Sequence, residues 1–470
     1  MTFKTPELLA PAGSLAMLKT AFAFGANAVY AGQPRYSLRV RNNDFGDMEV
    51  LKEGIDHAHS VGGKFFLVSN IFPHGNKTKH YLSNMAPVIA LKPDAMIMSD
   101  PGLIMMVRET WPEMEIHLSV QANTVNAAAV KFWKSVGIHR VILSRELSLD
   151  QVEQIRQDCP DTELEVFVHG ALCIAYSGRC LLSGYFNHRD ANQGTCTNSC
   201  RWDYKTQEGI VDASGDVFAP QAMHAQAEKE QGCCNQNASG AGQEQMVQAP
   251  GVAGKVFMME EANRQGSYMP VEEDEHGTYV MNSKDLRAIE HVRRLVEIGV
   301  DSLKIEGRTK SPYYVSRTVQ SYRQAIDDAV AGRELNPALL GQLEGLANRG
   351  YTSGFFQRHT PQETQNYLRG YSESGRSIYV GDVLSYDPAR GLAEVAVKNR
   401  FAVGDTLELI NPKGNIDVKL ERMQSKAGLA IDVAPGSGHT VWIPLPENAV
   451  GAFVARYISE APARSLAVSA

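Results

Sequence analysis

Short apolar runs alternate along this chain with stretches whose apolar residues recur every three or four positions, the period of a half-buried helix. The first run is Leu8-Leu9-Ala10. Gly13-Ser14 then opens a helix with Leu15, Leu18 and Phe22 on one face, stopped near Gly25. Further strand-like segments are Ala28 to Gly32, Phe65 to Ile71, Ala95 to Met98, Ile116 to Gln121, Val141 to Ser144 and Leu164 to His169. The eighth, Ser302 to Glu306, comes much later, after a helix expected over Ser283–Gly299. An amphipathic helix follows it, over Pro312–Val330. Eight strands, most followed by a helix, is the count of an α/β fold of the (β/α)8 TIM type. A doubly wound open sheet explains that count less well, and no GxGxxG follows the first strand.

The phase of the strands then becomes informative. Outer barrel faces pack on helices and should be apolar. Alternation therefore groups His117, Ser119 and Gln121 on the inner face, and likewise Glu165, Phe167 and His169, and Lys304, Glu306 and Arg308. A barrel filled only for stability prefers Val, Ile and Leu there. Sites in this fold sit at the C-terminal ends of the strands, where the chain offers Asn70, Asp100, Gln121, Arg145, Glu146, His169, Glu306 and Arg308. Some of these are expected to be plain structural ion pairs.

Residues 1–332 thus read as the barrel, interrupted between strands seven and eight by an insertion over 173–282. That is far longer than an ordinary loop, and its middle, from Gln221 to Gly254, is of low complexity. A helical connector is expected over 333–377. From 378 to 458 the pattern turns to short β segments punctuated by Gly-Asp and Pro-Lys-Gly-Asn, a small β-barrel domain. Its Lys398, Arg400, Lys413, Lys419 and Arg422 are candidates for phosphate contact, against the alternative of ordinary solvated strand faces.

Composition narrows the classes. The formal net charge of the 470 residues is −7, which argues against a protein that coats nucleic acid indiscriminately but leaves room for an RNA enzyme with a local basic groove. No apolar run approaches the roughly 20 residues that span a bilayer, and the N-terminus runs straight into a strand and turn, so a cytoplasmic protein without a membrane partner is expected. All seven cysteines fall between Cys159 and Cys234, and in the cytosol such clustering favours a metal site over disulfides. Cys173, Cys180, Cys196 and Cys200 are spaced x6, x15 and x3, the first just past strand seven. The spacing is not the paired CxxC of most zinc ribbons; it is compatible with a 4Fe–4S cluster, with zinc, or with free buried thiols. Cys159 reads as packing. Cys233 or Cys234 could replace Cys200 as fourth ligand.

At these cysteines the chain resembles a known family. His169-Gly170-Ala171-Leu172-Cys173 followed by Tyr176-Ser177-Gly178-Arg179-Cys180-Leu181-Leu182-Ser183-Gly184 is similar to the signature of the collagenase-like peptidase family (family U, number 32). So are Lys304-Ile305-Glu306-Gly307-Arg308 and the opening Glu7-Leu8-Leu9-Ala10-Pro11-Ala12-Gly13. Within that family the resemblance points to the branch that installs 5-hydroxyuridine at the wobble position of the tRNA anticodon and requires prephenate. It implies an iron–sulfur cluster on cysteines at comparable positions, and with it the iron–sulfur assembly machinery as a partner. Relatives that hydroxylate a ribosomal RNA cytidine, and the peptidase activity of the family's name, are the alternatives. No HExxH or GxSxG supports a peptidase.

Under that resemblance, residue roles follow as expectations. Prephenate is a dicarboxylate and calls for forked guanidinium partners, here Arg39, Arg41, Arg145 and Arg308, with Gln121 beside them; some of these arginines could instead pair with Glu146 or Glu306. His169 and Glu306 are the candidates for proton handling, with Arg145 as third catalytic candidate. Trp202 and Tyr204 could stack on a base or be core.

Overall fold

The computed structural model describes residues 3–33, 35–37, 43–73, 75–171, 285–346, 351–357 and 377–458, together with the backbone of short strands between 204 and 280. Eight strands form the barrel expected from the sequence. They are β1 (Glu7–Pro11), β2 (Ala28–Gly32), β3 (Lys64–Ser69), β4 (Ala95–Met98), β5 (Ile116–Leu118), β6 (Arg140–Ile142), β7 (Glu163–Ala171) and β8 (Ser302–Ile305). Neighbours are parallel, and β8 pairs with both β7 and β1, which closes the ring.

The outer layer comprises α1 (Leu15–Ala23), α2 (Met48–Ser60), α3 (Tyr81–Ile89), α4 (Pro101–Thr110), α5 (Ala127–Ser135), α6 (Leu149–Asp158), α7 (Val292–Ile298) and α8 (Pro312–Val330). Polar caps start most of them. Ser14, Asp47, Asn126, Ser148 and Ser311 each accept from backbone N–H groups of the first turn, which have no partner inside the helix. Asp100 belongs to this set: its Oδ1 accepts from the Leu103 amide at 2.9 Å. A sequence candidate for the site is thus a helix cap.

The helix expected over Ser283–Gly299 is shorter. Asp285–Arg287 is a strand antiparallel to the end of β7, with Arg287 opposite His169, and helical geometry begins only at Ile289. Since β7 outlasts β8, its last residues expose an edge, and pairing along that edge overrides the local helical pattern. A four-stranded antiparallel sheet lies within the insertion, in the order Gly277–Val280, Tyr268–Asp274, Val256–Glu261, Tyr204–Glu208. The low-complexity middle is outside the described residues.

The C-terminal domain is an antiparallel sheet of β9 (Ser377–Asp387), β10 (Leu392–Val397), β11 (Thr406–Ile410), β12 (Ile416–Lys419), β13 (Thr440–Ile443) and β14 (Phe453–Tyr457). Its order is β12-β11-β14-β9-β10-β13, with Gln424–Ser425 at the edge beside β13. Val380, Val395, Leu407, Val441 and Val454 fill its own core. It is docked on the barrel. Tyr313 of α8 stacks on Tyr379 of β9 at 4.5 Å and 11°, and Phe453 of β14 packs against both rings and against Phe24. Beneath them Arg317 of α8, 1% exposed, grips Glu408 of β11. No helix among the described residues is long and apolar enough to cross a membrane.

Candidate active site at the barrel mouth

The barrel interior is polar in layers. Near its base Arg140 reaches Glu7 at 2.6 Å and Glu163 at 2.8 Å, and Glu165 at 3.5 Å. Above it Lys304 Nζ donates to Glu165 Oε1 at 2.7 Å, both side chains nearly inaccessible, with the ammonium 4.3 Å from the Tyr30 ring centre. His117 meets the Phe66 ring edge-on at 4.6 Å. Burial, then the charges of Arg140 and Lys304, hold its imidazole well below the usual histidine range, so it stays neutral. The inward phases of His117, Glu165 and Lys304 are as the alternation requires. Arg140 was not singled out by the sequence reading; it stands one position ahead of the expected sixth strand, yet it balances Glu165.

The upper layer opens toward the strand C-terminal ends. Arg145, just after β6, holds its guanidinium carbon 3.9 Å from the Phe167 ring centre, donates to the Ala171 carbonyl at 2.8 Å and pairs with Glu306 at 2.9 Å. Arg308 donates to Ser37 Oγ at 2.8 Å, over the same Tyr30 ring. Across the mouth, β5 ends at Leu118 and Ser119 caps the 3-10 turn Val120–Ala122, so Gln121 stands on that turn and not on the strand. Asn70 Nδ2 and the Gln121 backbone N–H both donate to Ser119 Oγ at 3.4 Å. Arg145, Glu306, Arg308 and Gln121 therefore collect at one end of the barrel. Arg39, Arg41, Cys173, Cys180, Cys196, Cys200 and Trp202, and the side chain of Tyr204, lie outside the described residues. A recess of about 520 Å³ at the opposite end is lined by Lys4, Glu7, Lys64, Arg140, Glu163 and Asp301. Chemistry in this fold gathers at the other face, and these charges serve the barrel's closure.

His169 does not point where alternation sent it. Between Lys304 and Ile305 the β7–β8 register shifts, so that Phe167 faces Lys304 but His169 faces Ile305. The extra residue turns the imidazole out of the barrel. It lies 1% exposed among Tyr314 and Tyr322 of α8 and Tyr351, and its Nδ1 is 3.3 Å from the Tyr322 hydroxyl. The next residue, Gly170, has φ +105°, and a Cβ there would stand 2.6 Å from the Glu306 carbonyl oxygen, so only glycine lets the two strand ends close.

Burial lowers the His169 pKa from 6.5 to about 3. Its folded pKa lies below its unfolded one, so its stabilisation is complete above pH 6.5 and is lost as pH falls toward about 3. His169→Gln should therefore lose less of its denaturant midpoint than the parent between pH 7 and 5, and should leave the acid limb of the activity profile in place. An acid limb near 6.5 that disappears in His169→Gln would return this histidine to proton transfer.

A closed parallel barrel with a charged mouth, an insertion after β7 and an antiparallel C-terminal sheet match two family models. The model of peptidase family U32 covers residues 13–366, and that of the U32 C-terminal domain covers 376–456. The chain belongs to peptidase family U32. Among its relatives, the tRNA hydroxylation protein P of Escherichia coli is 58% identical over 443 residues, 94% of each chain. The protein of the same name from Haemophilus influenzae is 56% identical, again over 94% of each. One from Helicobacter pylori is 34% identical over 78% of this chain and 76% of its own.

Proposed function

We propose that this chain is a tRNA hydroxylase that converts the anticodon wobble uridine to 5-hydroxyuridine with prephenate as required co-substrate. The observation that carries the reading is the 58% identity, end to end, to a protein named for tRNA hydroxylation. The chemistry of the site agrees with it. Hydroxylating a pyrimidine carbon is redox work that side chains do poorly, and a 4Fe–4S cluster when bound supplies the one-electron chemistry. Cys173, Cys180, Cys196 and Cys200 are the four thiols that would hold it. Strand β7 ends at Ala171, two residues short of Cys173, and Arg145 ties that carbonyl to the mouth. Among the described residues no group of three or more His, Cys, Asp or Glu side chains is placed so that it could hold a metal ion.

The remaining parts follow from charge. Arg308 is held by Ser37, which precedes Arg39 and Arg41 in sequence by two and four residues. That set suits a dicarboxylate. Glu306 beside Arg145 places a carboxylate at the mouth for proton handling. The target base must leave its stack to reach this depth. The test is nucleoside mass spectrometry of tRNA from cells with and without the gene, in a background lacking other routes to 5-hydroxyuridine. The modified nucleoside should appear only with the gene and only when prephenate can be made. Unchanged tRNA beside soluble, metal-loaded protein would refute the reading and turn attention to ribosomal RNA.

A further inference from the structure

The C-terminal sheet carries a feature that nothing above uses. Arg390, exposed in the turn between β9 and β10, lies over the ring of Trp442 on β13 at 4.7 Å. Its Nη2 donates to Gln424 Oε1 at 2.6 Å, and Gln424 pairs with Trp442 on the sheet edge. An exposed arginine ordinarily keeps its rotamer freedom. Here the indole fixes the guanidinium from below and the amide fixes it at one side.

Two further cations stand close to this stack in sequence. Arg422 and Lys426, both exposed, stand two positions to either side of Gln424. The carboxylates nearby are Asp387, whose Oδ1 accepts from the backbone N–H groups of Ala389 and Arg390 at 3.0 and 3.3 Å, Glu421, and Glu394, which stands opposite Trp442 and accepts from Ser385 Oγ at 2.8 Å. Over the whole domain acidic and basic residues nearly balance, so it is not a polyanion-coating surface, and recognition there falls to the stack itself. Among the lysines marked out in the sequence, Lys398 is already tied to Asp382 at 3.3 Å.

A flat cation held over an aromatic ring, with two more cations alongside, matches the chemistry of an unpaired nucleotide. The base stacks on the guanidinium plane, and the flanking phosphates meet Arg422 and Lys426. We propose that the Arg390–Trp442 stack is a docking platform for one unpaired nucleotide of the substrate RNA, separate from the barrel mouth. This rests on the reading of the chain as an RNA enzyme.

The test is fluorescence anisotropy of the full-length protein with labelled oligouridine and with a tRNA transcript, at fixed salt. Arg390→Ala and Trp442→Ala should each weaken oligouridine binding about tenfold, in the range of one lost base stack. Trp442→Phe should keep most of the affinity. Arg390→Lys, a surface change that keeps the charge and loses the plane, should also weaken binding. Full affinity in Arg390→Lys would reduce the feature to a point charge and overturn the platform. So would affinity unchanged in both alanine variants, even with hydroxylation intact. If the parent protein binds neither RNA, platform and function fall together; if the RNA binds as described but tRNA from cells is unmodified, only the function falls.

Discussion

With the proposed cluster in place, Cys173→Ala is expected to strip the purified protein of iron and to lower the hydroxylated nucleoside in tRNA more than about a hundredfold. Losing a coordinating thiolate should cost more than the 10–100-fold typical of groups that merely orient a ligand. Cys180→Ala and Cys196→Ala should behave alike, because a cluster held by four thiolates does not tolerate three well. Cys200→Ala set against Cys233→Ala and Cys234→Ala identifies the fourth ligand. Cys159 is the internal control. It is buried at the end of α6, its thiol lies 3.6 Å from the Ala127 carbonyl, and burial pushes its pKa up. Cys159→Ala should leave iron and nucleoside unchanged. Iron content by metal analysis and the absorption of the oxidised cluster are the readouts. Stoichiometric zinc without iron in the active parent protein would refute the cluster.

How much of this was legible in the sequence depends on the range of the interaction. The barrel was legible because each strand–helix unit declares itself locally: Ser14, Leu15, Leu18 and Phe22 announce α1 without help from elsewhere. The α8 boundaries, Pro312–Val330, came out the same from pattern and from structure, for Pro at the first turn and a long amphipathic face are local signals. The inward phase of Glu165 and Lys304 was legible from strict alternation. His169 was not, because one register shift between β7 and β8 reverses every face of β7 beyond it, and that shift depends on how two strands whose paired residues are 136–137 positions apart meet. The same limit hid the Asp285–Arg287 strand, whose partner is the spare edge of β7. It hid most of the partners of the mouth arginines too, although Glu306 was one of the two carboxylates offered for them. The list of charged residues was readable; that Arg145 serves Glu306 and Ala171 while Arg308 serves Ser37 is tertiary information.

Arg317→Met is expected to cost roughly 3–5 kcal/mol, the usual penalty for removing one partner of a buried pair and leaving the other charged. The guanidinium donates Nη1 to Glu408 Oε1 at 2.7 Å and Nη2 to Glu408 Oε2, a bidentate clasp between barrel and C-terminal sheet. Asn415 Nδ2 donates to the same Oε1 at 3.2 Å, so the carboxylate is organised from its own domain as well. Without Arg317 that carboxylate stays buried, its residue 7% exposed, with its guanidinium partner gone and the Asn415 amide retained. Because the chain has two cores, the loss should appear as an earlier, separate transition of the C-terminal domain and as faster proteolysis between Phe356 and Ser377, not as one shifted midpoint. Arg317→Met combined with Glu408→Leu should recover most of the stability, because an apolar pair needs no desolvation of charge. A single variant that melts and resists protease like the parent would show that the aromatic contacts alone hold the domains. If they are held by the pair, the platform at Arg390 and the barrel mouth sit on one rigid body, and an RNA long enough to touch both gains effective concentration from that rigidity. Arg317→Met should then weaken binding of tRNA more than binding of a short oligouridine that engages the platform alone.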